Sequence, residues 1–202
     1  MIQQDNIYVL LTDTGTMFTR MIKRYTSAPY NHASLALDKG LREVYSFGRK
    51  CATNPWSAGF VEEDIYEGVY RYFPETRCVV LRLNVSAQQR IELKRLIQYF
   101  KRNKEAYKYN LIGLLFLTMK INFAPKNAYF CSQFVAEALK GVELDLWNRP
   151  SALITPNDFL IHPAFETVYE GMLYDYPQLG SAMEEKEYKI ECEDFRGQAI
   201  SY

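Results

Sequence analysis

Between Arg77 and Lys101 the apolar residues change from an alternating pattern to spacings of three and four, and the change falls on Ser86-Ala87-Gln88-Gln89. The first part, Arg77 to Val85, reads as a strand, and the Ser…Gln spacing at its exit is a capping box that starts a helix. That helix carries one apolar stripe, Ile91, Leu93, Leu96, Ile97 and Phe100, which must be buried against another layer. Arg90, Glu92, Lys94, Arg95 and Lys101 lie on its other side and read as solvated surface, not as a binding patch.

The remaining elements fit that frame. Ile7 to Leu11 is a buried strand ending at Thr12-Asp13-Thr14-Gly15, and Met17, Phe18, Met21, Ile22 and Tyr25 recur as in a helix that stops before Ser27-Ala28-Pro29. Asn31 to Leu37 and Arg42 to Phe47 form a hairpin around Asp38-Lys39-Gly40. Arg49 to Pro74 is rich in aromatic residues without a clean period; it reads as an excursion over the core, with a short helix an option between Val61 and Tyr70. A buried helix is expected over Asn110 to Ile121, and another from Phe130 to about Lys140-Gly141. Thr155-Pro156-Asn157-Asp158 starts a short helix that Pro163 ends, Phe165 to Tyr169 is a last strand, and the charged tail from Ser181 is peripheral. One domain over residues 1–202 is expected, since no linker or repeat interrupts the chain.

Charge balance narrows the partners. The 24 basic and 24 acidic residues cancel, which gives no electrostatic case for nucleic acid. The longest strongly apolar run, Leu111 to Met119, is too short to span a bilayer, so no transmembrane segment is expected. Met1 to Asn6 lacks a basic region followed by an apolar stretch, and Cys51, Cys78, Cys131 and Cys192 are scattered without a CxxC pair. A reducing, cytoplasmic setting is therefore expected. Neither zinc-type ligand spacing nor a Gly-rich phosphate loop is present, so no metal and no cofactor is expected. The sequence sets no oligomeric state.

The stretch with chemistry in it is Tyr129-Phe130-Cys131-Ser132-Gln133-Phe134-Val135. Phe130, Phe134, Val135, Ala138 and Leu139 have helical spacing, which puts Cys131 in a first turn. Unpaired backbone N–H groups and the positive end of the helix dipole favour a thiolate there. The alternative is a small residue packed in a core helix. A nucleophilic cysteine also needs a base, and there are two histidines. His32 opens the strand Ala33 to Leu37 between small residues, whereas His162, before Pro163, suits a surface or helix-end role and follows Cys131 too closely for an ordinary papain order.

Histidine strand first and cysteine helix last resembles the circularly permuted branch of the papain-like, NlpC-type peptidases, in particular YiiX-like cysteine hydrolases. Asp5-Asn6-Ile7-Tyr8-Val9-Leu10-Leu11 resembles the family's opening Gly-Asp and apolar strand, with Asn6 in place of the Asp and no Gly before it. Tyr30 to Leu37 resembles its histidine strand, and Glu43 to Gly48 the strand after it. Tyr107-Lys108-Tyr109-Asn110 and Phe130 to Val135 resemble the segments before and at the nucleophile. The resemblance implies an α+β architecture, a permuted papain-like fold in which a small antiparallel sheet holds His32 against the helix of Cys131. It implies Cys131 as nucleophile, His32 as base and then acid, and a small peptide or amidated amino acid, such as a cell-wall fragment, as substrate. The third catalytic position falls on Ser46 by alignment or on Glu43 as the nearby carboxylate; the two lie on opposite faces of a regular strand. Tyr109 and Ser132 are the candidate substrate-binding residues, and the Cys131 N–H the oxyanion donor. Two alternatives stay open. One is an acyltransferase or thioesterase of the lecithin-retinol acyltransferase type, with Leu111 to Leu117 facing lipid; the other is a binding module without catalysis.

Overall fold

The computed structural model describes residues 4–15, 29–50, 58–119 and 121–179. The helix expected over Met17 to Tyr25, Cys51, Cys192 and the tail from Ser181 lie outside the described residues.

A mixed α/β architecture is built on six antiparallel strands in the order β4-β3-β2-β1-β5-β8: β1 (Gln4–Asp13), β2 (His32–Ala36), β3 (Val44–Arg49), β4 (Ala58–Glu63), β5 (Arg77–Ser86) and β8 (Phe165–Met172). Two short parallel strands, β6 (Lys108–Tyr109) and β7 (Ala128–Tyr129), form a second sheet. The helices are α1 (Ala87–Arg102), α2 (Leu111–Thr118), α3 (Cys131–Lys140) and α4 (Pro156–Ile161). β1 and β5 pair over ten positions at the centre, from Gln4 opposite Ser86 to Asp13 opposite Arg77.

Period-two alternation sends the side chains of the central strands into two cores. Ile7, Val9, Leu11, Ala33, Leu35, Phe47, Val79 and Leu81 meet α1 and α3 on one face. Leu10, Ala36, Val44, Cys78 and Val80 meet Ile65, Tyr70, Leu173 and Tyr176 on the other. Because both faces are covered, β1 and β5 are almost continuously apolar, as their sequences are.

The capping box reads as expected: Gln89 N–H donates to Ser86 Oγ (3.1 Å) and Ser86 N–H to Gln89 Oε1 (2.9 Å). Leu93, Ile97 and Phe100 are buried, but Ile91 is not, and Arg90 turns from solvent to bond Asp5 Oδ1 and the Asn6 carbonyl. The segment taken as an excursion is only partly one. Ala58 to Glu63 is the edge strand β4, paired with β3 from Val44–Glu63 to Arg49–Ala58, and a 3-10 turn over Val69–Tyr72 follows. The expected buried helix before the cysteine is shorter, Leu111–Thr118, and leaves Leu111 and Ile112 exposed.

An aromatic cluster seats α3. Phe47 of β3 lies 5.2 Å from both Phe134 and Tyr129 between ring centroids, and Phe60, Phe100 and Tyr107 close around it. Phe47→Ala should therefore lower unfolding free energy by about 3–5 kcal/mol, against about 1 kcal/mol for loss of the cap in Ser86→Ala, both measured by urea denaturation.

Candidate active site

Cys131 is the first residue of α3, following the extended N-cap Phe130. The strand β7 delivers it: β7 pairs with β6, placing Tyr129 opposite Tyr109, and the chain turns into the helix directly after. Gln133 reaches back, its Oε1 accepting the Phe130 N–H at 3.4 Å, and the Phe134 N–H closes the first turn on the Phe130 carbonyl at 2.9 Å. The Cys131 N–H, at the first helical position, has no intrahelical acceptor.

The sulfur is buried and hydrogen-bonded to His32 and to the backbone of Ala33 and Ser132. The β2–β3 ladder is paired only at Leu35–Tyr45 and Ala36–Val44, so β3 does not consume the Ala33 N–H. Burial by itself would push the Cys131 thiol up. The hydrogen bond and charge of His32 and the two backbone donors outweigh it, and the thiol lies below its ordinary value.

His32 sits at the start of β2, opposite Thr12 of β1, with 22% of its side chain exposed. Its Nε2–H donates to Glu63 Oε1 at 2.7 Å, which leaves Nδ1 for the cysteine. Burial would lower its pKa, but the charge of Glu63 and the bonds to Cys131 and Glu63 raise it to about 10. Both shifts run in the direction that favours a thiolate facing an imidazolium. Gly48 of β3 lies against the ring, where a Cβ would come within 3.3 Å of His32 Cε1. The missing side chain lets the strand approach the imidazole.

Glu63 accepts four hydrogen bonds. Oε1 takes His32 Nε2 and Ser46 Oγ (2.5 Å), and Oε2 takes Ser34 Oγ (2.8 Å) and Tyr70 OH (3.1 Å). Register explains the meeting: Val44 faces Ala36 on one side and Glu63 on the other, so His32, Ser34, Ser46 and Glu63 share one face of the sheet. Burial would raise the Glu63 carboxyl, but His32 and the serines hold it below the ordinary value.

Several sequence expectations are corrected. The imidazole is held by Glu63, not by Ser46 or Glu43. Ser46 acts one step back, donating to Glu63. Glu43 precedes β3 and points away, 3.6 Å from Lys94 of α1. Ser132 does not face a substrate space: it is buried and its Oγ donates to the Ile154 carbonyl at 2.7 Å. Only its backbone is at the site. Tyr109 does border the site, since burial and then the charge at Cys131 push its phenol far up. His162 is remote, its Nε2 on the Leu146 carbonyl at 3.0 Å and its ring against Trp147. Glu63 was missed because an irregular aromatic segment hid β4. The short apolar run Phe60-Val61 ahead of two carboxylates, after a hairpin, was the available signal. Among the described residues no cluster of His, Cys, Asp and Glu could hold a metal ion.

Comparison with protein-family models and with curated proteins finds no match to this chain.

The electrostatics set a labelling order. Cys78, in the second core, is fully buried and pushed up to about 12, first by burial and then by Glu170. Iodoacetamide at pH 6–7 should label Cys131 and spare Cys78, as read by mass spectrometry. In Glu63→Gln the His32 pKa falls, the thiolate loses its counter-charge, and Cys131 labelling at pH 6–7 should drop about tenfold, one unit of thiol pKa.

Proposed function

We propose that this protein is a cysteine hydrolase on a circularly permuted papain-like fold, cleaving an amide bond in a small peptide or amidated amino acid through an acyl-enzyme on Cys131. The observation that supports the reading is the unbroken chain Cys131–His32–Glu63, with a lowered thiol and a raised imidazole in direct contact. An isolated core cysteine has no need of such partners.

In this reading the Cys131 thiolate adds to the carbonyl carbon, and the oxyanion that forms accepts the Cys131 N–H at the start of α3. His32, already protonated, gives its proton to the leaving nitrogen as the C–N bond breaks. The imidazole, now neutral, takes a proton from water as that water attacks the thioester. The carboxylic acid leaves, and the thiolate–imidazolium pair is restored. Glu63 keeps the ring oriented and stabilises its charge without itself taking a proton. A reducing compartment, where the thiol stays free, suits this chemistry.

A second reading, acyl transfer or thioester cleavage on a lipid, is favoured by exposed apolar residues beside the site. Leu111 and Ile112, which follow Tyr109 closely in the chain, are 41% and 59% exposed, and Met119 and Ile121 are exposed as well. Among the described residues no helix is long and apolar enough to cross a membrane. Contact would be at a surface.

Assay against short amides and against long-chain esters separates the readings. Cys131→Ala should lower kcat/KM by roughly 10³-fold or more with its melting temperature kept, while Cys78→Ala should retain turnover. Activity against pH should be bell-shaped, rising as Cys131 ionises below the ordinary thiol range and falling as His32 loses its proton near pH 10. Full activity in Cys131→Ala removes the mechanism. Turnover only of long-chain substrates, lost in Ile112→Glu, selects the second reading.

A further inference from the structure

Arg49 ends β3 directly after Gly48, the residue that lies against the His32 ring. By strand alternation it shares the face of Tyr45 and Phe47, the face on which Phe134 of α3 and Tyr129 of β7 pack. Tyr109 lies within the electrostatic reach of both the Arg49 guanidinium and the Cys131 sulfur. The guanidinium carbon rests 5.6 Å from the centre of the Phe73 ring, a stacking contact that fixes its position without neutralising it.

Arg49 has no carboxylate partner among the described residues. Arg42, Arg71, Arg82, Arg90 and Arg149 are each paired with an acid. Arg77, Arg95 and Arg102 are exposed, so water serves them. Arg49 is half-buried. Residues 16–28 and 51–57, which join β1 to β2 and β3 to β4, contain no Asp or Glu that could serve as counter-ion. A half-buried cation beside a reactive centre, oriented by an aromatic ring and without a carboxylate partner among the described residues, has the makings of a recognition group.

We propose that Arg49 forms an anion subsite of the Cys131–His32 centre and that the substrate carries a carboxylate close to its scissile carbonyl, as a peptide or half-amide with a free acid on the acyl side does. The inference rests on the hydrolase reading and narrows its substrate class. One guanidinium matches the single charge and planar fork of a carboxylate. A phosphate monoester, with nearly twice the charge, would need a second cation, and the charge of His32 is already engaged by the thiolate and Glu63.

Two alkylating agents of the same shape test this. Iodoacetate carries a carboxylate and iodoacetamide does not, and both transfer their carbon to sulfur with loss of iodide. The rate ratio of iodoacetate to iodoacetamide at Cys131 is measured in the full-length protein, in Arg49→Gln and in Arg49→Lys. His32 is present in all three, so its own attraction for anions cancels. The ratio should fall about tenfold in Arg49→Gln, the worth of one charge-assisted contact, and less in Arg49→Lys. Propionate should protect Cys131 from iodoacetate in the unaltered protein and not in Arg49→Gln. An unchanged ratio overturns the subsite. A parallel fall in both rates assigns Arg49 a structural role and also overturns it. Stronger protection by inorganic phosphate than by propionate overturns the carboxylate assignment. Slow iodoacetamide labelling in the unaltered protein overturns the nucleophile itself, a failure separate from that of the subsite.

Discussion

A carboxylate with only 11% of its side chain exposed must be satisfied by its neighbours or take up a proton, and the geometry around Glu63 follows from that requirement. Each oxygen accepts two donors, so the lone pairs that water would have filled are filled by His32, Ser34, Ser46 and Tyr70. Hydrogen bonds to a charged acceptor are each worth about 1.5–3 kcal/mol net, so four of them can offset a burial cost of several kcal/mol. The anion survives, and its charge holds His32 protonated. That proton in turn lowers the Cys131 thiol and favours its thiolate. Three ionisations are thus tied in series, and the serines explain why the first is stable. A second carboxylate at position 46 would face Glu63 on the same sheet surface, and the like charges would oppose each other.

The series also ties stability to pH. His32 titrates higher in the folded chain than its ordinary 6.5, so its contribution is complete below that value and is lost as pH rises through about 10. Glu63 titrates below its ordinary 4.5, so its contribution is complete above that value and is lost as pH falls. The network is intact between the two limits, the interval in which the thiolate is chemically useful. Its members come from β2, β3, β4 and the turn carrying Tyr70, so the same interactions close the β4 edge of the sheet.

Regular periodicity was legible and irregular connection was not. The strands around Val9, Leu35, Phe47 and Val80, the capped α1 and the placement of Cys131 at the start of α3 follow from spacing alone. β4 did not. Its six residues, Ala-Gly-Phe-Val-Glu-Glu, sit in a run of aromatics and turns that obscures a period of two, and Glu63 went unseen with it. On β3 and just before it the sequence offers Ser46, a member of the network in another role, and Glu43, which Lys94 draws away. α2 was misjudged for a different reason. A uniformly apolar segment looks buried, yet it is eight residues long and fixed by Asn110, whose side chain bonds Gly113 N–H and the Phe123 carbonyl. Anchored at its start, the helix does not have to bury Leu111 and Ile112. Side-chain pairings across strands, such as Glu63 with Ser34, depend on register, which no single segment records.

The charges at the site fall into a pattern that bears on its chemistry. The shifts at Glu63, His32 and Cys131 favour minus, plus and minus along one line of hydrogen bonds, an arrangement with a net negative charge around the sulfur. A substrate carboxylate would be repelled by the thiolate and by Glu63 unless a cation outside that line received it. Arg49 is outside it, at the end of the neighbouring strand, within electrostatic reach of Tyr109 as the sulfur is, and with no carboxylate partner among the described residues. Tyr109 feels both charges, and burial with the charge at Cys131 keeps its phenol neutral. A cation kept near the thiolate but apart from it can recruit an anion without disarming the sulfur.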